Sequence, residues 1–199
     1  MKKILLTALC VAGMAASQTT QAGYLTVSAS IGGAPTGTER VNFDNLSPGT
    51  TATGLTATGP NGSLIVDIAA DGQVASGSVS GKYAAPYLSG GNGTGFGSQS
   101  DGADTTPYLT TGLGSVTLTF GAAQQYMGLL WGSVDDYNKL SFYRTDGSFI
   151  ESITGLDVLA SPNGDQGVNG TLYVNINSTE AFGYVVASST QYAFEFDNV

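Results

Sequence analysis

YMGLLWGSVDDYNKLSFYR, residues 126–144, joins two strongly patterned apolar runs through a short polar connection and holds the only tryptophan of the chain. In the first run Met127, Leu129 and Trp131 point one way. In the second, Leu140 and Phe142 do, with Lys139, Ser141 and Tyr143 opposite, the period of two that marks a strand half-buried in a sheet. Gly132 to Asn138 supplies the Gly, Asp and Asn residues that a connection between strands uses. The stretch therefore predicts the central hairpin of a β fold.

Outward from it the same pattern recurs. Leu25, Val27 and Ala29 alternate with Thr26, Ser28 and Ser30, and Arg40–Asp44 predicts a second short strand. Thr50–Thr58 is an edge-strand candidate. Leu64, Val66 and Ile68 form another alternating face, closed by the turn signal Asp71-Gly72, after which Gln73–Ser80 can pair back as a hairpin partner. Val116, Leu118 and Phe120 precede the tryptophan stretch. Ser148–Thr154 is a further strand, and Gly155–Ala160 a single helical turn. Leu172–Ile176, Tyr184–Ala187 and Ala193–Val199 complete the set. About ten strands with turns at short intervals and almost no helical period predict an all-β fold, a single antiparallel β-sandwich of jelly-roll type.

Residues 84–114 interrupt this order with a glycine-rich segment, too long for an ordinary connection. The echoes Ala85-Pro-Tyr-Leu88 and Thr106-Pro-Tyr-Leu109 frame it. Tyr87, Leu88, Tyr108 and Leu109 are expected to pin its ends to the sheet. In a second reading Tyr87 and Tyr108 form a ligand platform.

Residues 1–22 have the form of a secretory leader, with Lys2 and Lys3, an apolar run from Ile4 to Ala16, and the small-residue site Thr20-Gln21-Ala22. The apolar run is too short for a comfortable membrane span, so one domain, 23–199, with no transmembrane segment is expected after cleavage. Four basic residues then face fifteen acidic ones, a formal charge of −11. Such a surface disfavours nucleic acid. The single cysteine, Cys10, leaves with the leader, and export without disulfides suits a bacterial protein.

The chain has no histidine. Ser-His-Asp and Cys-His catalysis and ordinary zinc sites are excluded, because each needs an imidazole or a thiolate. Paired carboxylates remain, but the adjacent pair Asp135-Asp136 would point to opposite faces of a strand and is a poor catalytic couple. Calcium, which takes carboxylate, amide and carbonyl oxygens, is the one cofactor the residues admit. In one constellation Glu39 and Asp44 meet Asp197, since a sandwich often brings its ends together. In the other Asp157, Asn163, Asp165 and Asn169 gather in a glycine-containing loop. Turn chemistry explains the same residues without any metal, and is the favoured reading of each.

GLLWGSVDDYN (128–138) with LSFY (140–143), GLD (155–157), GVNG (167–170), YVNI (173–176) and the ending YAFEFDNV (192–199) resemble bacterial exosortase-dependent surface proteins, the PEP-CTERM class. Members of that class continue into a Pro-Glu-Pro motif, an apolar span and a basic tail, whereas this sequence stops at Val199. The expectation is an exported protein, secreted, periplasmic or at the cell surface, that works without catalysis through binding or packing. Extracellular polysaccharide or other envelope components are the expected partners. The alternative is a carbohydrate-binding module, and a glycosidase-type enzyme comes third.

Overall fold

Two strands of eighteen residues carry the fold. The computed structural model describes residues 19–97 and 99–199, so the expected leader lies outside the described residues except for the backbone of its last four. In chain order the strands are β1 (Thr19–Ala22), β2 (Leu25–Ser30), β3 (Leu55–Thr58), β4 (Ser63–Ala69), β5 (Gln73–Ala75), β6 (Tyr87–Leu88), β7 (Gly102–Ala103), β8 (Tyr108–Thr110), β9 (Ser115–Gly132), β10 (Asn138–Tyr143) and β11 (Phe149–Thr154). The helical turn α1 (Gly155–Val158), β12 (Leu172–Ser189) and β13 (Glu195–Asp197) follow. Every strand pairing is antiparallel. Eleven strands join one open sheet, and β6 and β7 form a separate pair.

β9 and β12 run alongside each other from Ser115↔Ser188 to Trp131↔Leu172, with the ladder disturbed only between Asn177 and Tyr184. On either side of that irregularity the flanking strands change. The first half of β9 is bordered by β4 and its second half by β13. β12 begins against β2 and ends against β10. Both halves turn their apolar sides into one core: Leu25, Val27, Val174 and Ile176 belong to the same buried cluster as Leu64, Val66, Leu118, Phe142 and Val185. Among the described residues no helix is long and apolar enough to cross a membrane.

Face assignments follow the sequence pattern, but partners do not. Met127, Leu129 and Trp131 enter the core with Leu140 and Phe142. The hairpin expected of residues 126–144 is absent, because β12 lies between its two arms and pairs with both. The connection cannot fold straight back: Val134 donates its N–H to Gly170 and accepts from Gly164, so the 164–170 loop consumes its backbone groups. The Asp71-Gly72 turn forms, yet it delivers β5 to β8, since both edges of β4 are already taken by β3 and β9. Arg40–Asp44 is not a strand. Val41 exchanges two backbone hydrogen bonds with Val199, at 2.8 and 2.9 Å, which ties this early segment to the end of the chain. Leu172–Ile176 and Tyr184–Ala187 are one continuous strand, and β3 is an edge strand as expected.

Candidate functional site

The glycine-rich segment lies over β13. Asp104 donates its N–H to the Pro86 carbonyl at 2.8 Å, closing the segment into a loop, and Ala84 donates to Glu195 Oε1 at 2.9 Å. Its apolar residues are few but well used. Leu88 and Phe96 are buried with Leu130 and Tyr173, and the Arg40 guanidinium sits 5.0 Å from the Phe96 ring centre. Leu88, Tyr108 and Leu109 are buried at the segment's two ends, where they act as pins. The Tyr108 hydroxyl donates to the Gly77 carbonyl at 2.6 Å, and the ring is fully covered, so it offers no open face to a ligand. Tyr87 is half-buried.

Between this segment and β13 stand three carboxylates. Asp197 is 0 % exposed and among the described residues no side chain donates to its oxygens; the Asn198 backbone N–H is the one donor turned toward the carboxylate. Burial pushes its carboxyl well above the usual range, and the neighbouring Asp104 and Asp44 push the same way. Asp104 spends Oδ1 on the Thr106 N–H and hydroxyl, both at 2.8 Å, and leaves Oδ2 buried without a donor. Asp44 stands at the exposed rim, where its Oδ2 accepts from Asn42 at 2.8 Å; partial burial raises its carboxyl too. Of the first constellation, Asp44 lies near enough to Asp197 to push its carboxyl upward. Glu39 does not join them: it is exposed and lines a different groove, of about 340 Å³, beside Tyr126 and Phe120. Asp104 takes the place given to Glu39. Its Asp-Thr-Thr context reads as a turn, and one of its oxygens does serve that turn, so only the buried second oxygen marks it.

The second constellation disperses into local roles. Asp157 Oδ2 accepts from the Thr154 N–H and hydroxyl at the start of α1, a capping arrangement. Asn163 Oδ1 accepts from Asp165, whose own Oδ1 accepts from Gly167. Among the described residues no three His, Cys, Asp or Glu side chains stand close enough to hold a metal by themselves.

On the same face of β13, two residues before Asp197, Glu195 closes the inner end of a polar cleft of about 620 Å³. Tyr83, Tyr137 and Tyr192 line it with Asp135, Asn163 and Gln166. Burial lifts the Glu195 carboxyl to about 7, against the opposing pull of hydrogen bonds from Ala84 and Ser133. Its two oxygens are each engaged, Oε1 by the Ala84 N–H and Oε2 by the Ser133 hydroxyl at 2.7 Å. Asp135, raised by burial, accepts from the Tyr137 hydroxyl at 2.7 Å. Neither Glu195 nor the cleft is legible in the sequence, where Glu195 is one apolar-flanked residue of the last strand.

Comparison with protein-family models, with curated proteins and with solved structures finds no match to the chain.

Proposed function

We propose that this chain is an exported bacterial surface or matrix protein that binds extracellular polysaccharide in the tyrosine-lined cleft and carries out no reaction on it. The observation that carries this reading is the composition of the cleft: three tyrosines beside carboxylate and amide groups, with room for a small saccharide. Tyrosine rings cover apolar sugar faces while the polar groups meet hydroxyls. The disposition of Glu195 favours binding over hydrolysis. A glycosidase needs an acid free to reach the scissile oxygen, and both Glu195 oxygens are occupied within the protein. The architecture best suited to these strands is a β-sandwich of jelly-roll type, supported by the single core that both halves of the sheet share.

A glycan array probed with the purified protein tests the reading. Binding of at least one polysaccharide class is expected, with Tyr137→Ala weakening it about tenfold, the equivalent of losing one contact of about 1.4 kcal/mol. An array without hits would overturn it, and so would cleavage of a bound glycan.

Export carries its own prediction. Glu151 Oε2 accepts the N–H groups of Tyr24 and Leu25 at 2.7 and 3.0 Å, and a Cβ on Gly23 would stand 2.8 Å from Oε1. Cleavage after Ala22 would place the new ammonium group of Gly23 beside this carboxylate. Mass spectrometry of exported protein should therefore find a chain beginning at Gly23. Secreted material that retains Met1 would refute the cleavage site.

A further inference from the structure

Four buried acceptor oxygens to which no side chain donates lie on and beside the last strand, with the Asn198 backbone N–H the one donor near the Asp197 pair. Two belong to Asp197, one is Asp104 Oδ2, and the fourth is Asn198 Oδ1, whose residue is also fully buried. The two carboxyl groups lie within hydrogen-bonding range of each other, although ionised neither can donate. Asn198 Nδ2 reaches across to the Asn92 carbonyl at 3.3 Å, and the Asn92 side chain is itself fully buried with neither amide atom partnered. Among the described residues no basic side chain is paired with these carboxylates. Arg40 is committed to the Pro35 carbonyl and the Phe96 ring, and among the described residues the one ion pair is Arg144 with Glu180, on other strands.

An ionised carboxylate buried without a partner costs several kcal/mol, and two that face each other cost more. A proton shared between them would serve the carboxyl pair alone. A cation would serve Asp104, Asp197 and the amide oxygens together. Every unpartnered oxygen here is a hard donor, with no nitrogen or sulfur ligand in prospect, which is the chemistry of calcium rather than of zinc or copper. That the carboxylates do not form a trio by themselves is compatible with calcium, whose six to eight ligands commonly include neutral amide and carbonyl oxygens and water.

We propose that Asp104 and Asp197 hold a calcium-class cation, with the Asn92 and Asn198 amide oxygens beside them and Asp44 on the open side, and that this ion fastens the glycine-rich segment to β13. The segment contributes Asn92 and Asp104, the last strand Asp197 and Asn198. The site therefore links the middle of the glycine-rich segment to the last strand, with which the end of that segment is already paired through β8. It is separate from the saccharide cleft and stands whether or not that cleft binds sugar.

The purified protein, stripped with chelator and titrated with calcium chloride in a calorimeter, tests this. One calcium per chain is expected, with magnesium weaker, a higher melting temperature in calcium, and protection of residues 84–104 from proteases. Asp197→Asn and, separately, Asp104→Asn should each lower calcium affinity more than about 100-fold, beyond the range of an outer-shell residue. Asp165→Asn should leave it unchanged. Wild-type protein that takes up no calcium at millimolar concentration overturns the proposal without recourse to any variant. So does uptake that survives Asp104→Asn or that Asp165→Asn abolishes. A chelator-insensitive melting temperature that rises on Asp197→Asn would identify a shared proton in place of the ion.

Discussion

Trp131→Ala is expected to destabilise the protein by about 3–5 kcal/mol, the range for a large aromatic removed from a packed core. Trp131 is fully buried near the end of β9, opposite Leu172 on one side and Phe196 on the other. Its ring stacks on Phe194 at 4.3 Å between centroids, and Phe194 in turn lies 5.2 Å from Phe196. Truncation would leave a cavity bounded by three strands already committed to one another, which limits collapse. The indole N–H has no partner among the described residues, and an unpaired buried donor is itself unfavourable. Trp131→Phe, which removes that donor and keeps an aromatic ring, should therefore lose far less than the alanine variant. Urea unfolding of the three proteins measures both effects. A midpoint for Trp131→Ala within about 1 kcal/mol of wild type would refute the core assignment. Native fluorescence should be short in wavelength and unmoved by soluble glycans.

Gly155→Ala is expected to cost about 1–3 kcal/mol, the usual penalty for forcing a group into filled space. Gly155 opens α1 directly after β11, and an added Cβ would overlap the backbone carbonyl of Asp135. No side-chain rotation relieves a clash with backbone. The 133–137 connection would have to shift, taking Asp135 and Tyr137 with it. The variant should thus lose glycan affinity as well as stability, whereas Trp131→Phe should lose only stability. Equal melting temperatures for Gly155→Ala and wild type would show that the close approach has room to spare.

Hydrophobic period reports which face a residue takes, and it did so for Leu64, Val66, Ile68, Met127, Leu129, Trp131, Leu140 and Phe142, all of which are buried in one core. Turn residues report where the chain bends, as at Asp71-Gly72 and in the helical turn at Gly155. The sequence by itself therefore determined the strand class, the core faces and the acidic balance of the chain. It also brought Asp44 and Asp197 to notice, because both lie near ends of the chain that a packed sheet draws together.

Tertiary structure alone decided which strand lies beside which. Every strand has two edges with the same N–H and C=O groups, so the pairing of β9 and β10 with β12 rather than with each other depends on what occupies those edges. Asp104 and Glu195 escaped sequence reading for a related reason. Asp104 looks like a turn residue because one of its oxygens is one, and Glu195 looks like a solvated strand position. What changes their chemistry is the glycine-rich segment folding over β13, which removes water from groups some ninety residues apart in the chain. Desolvation is a property of the assembled surroundings, and no local pattern of residues encodes it.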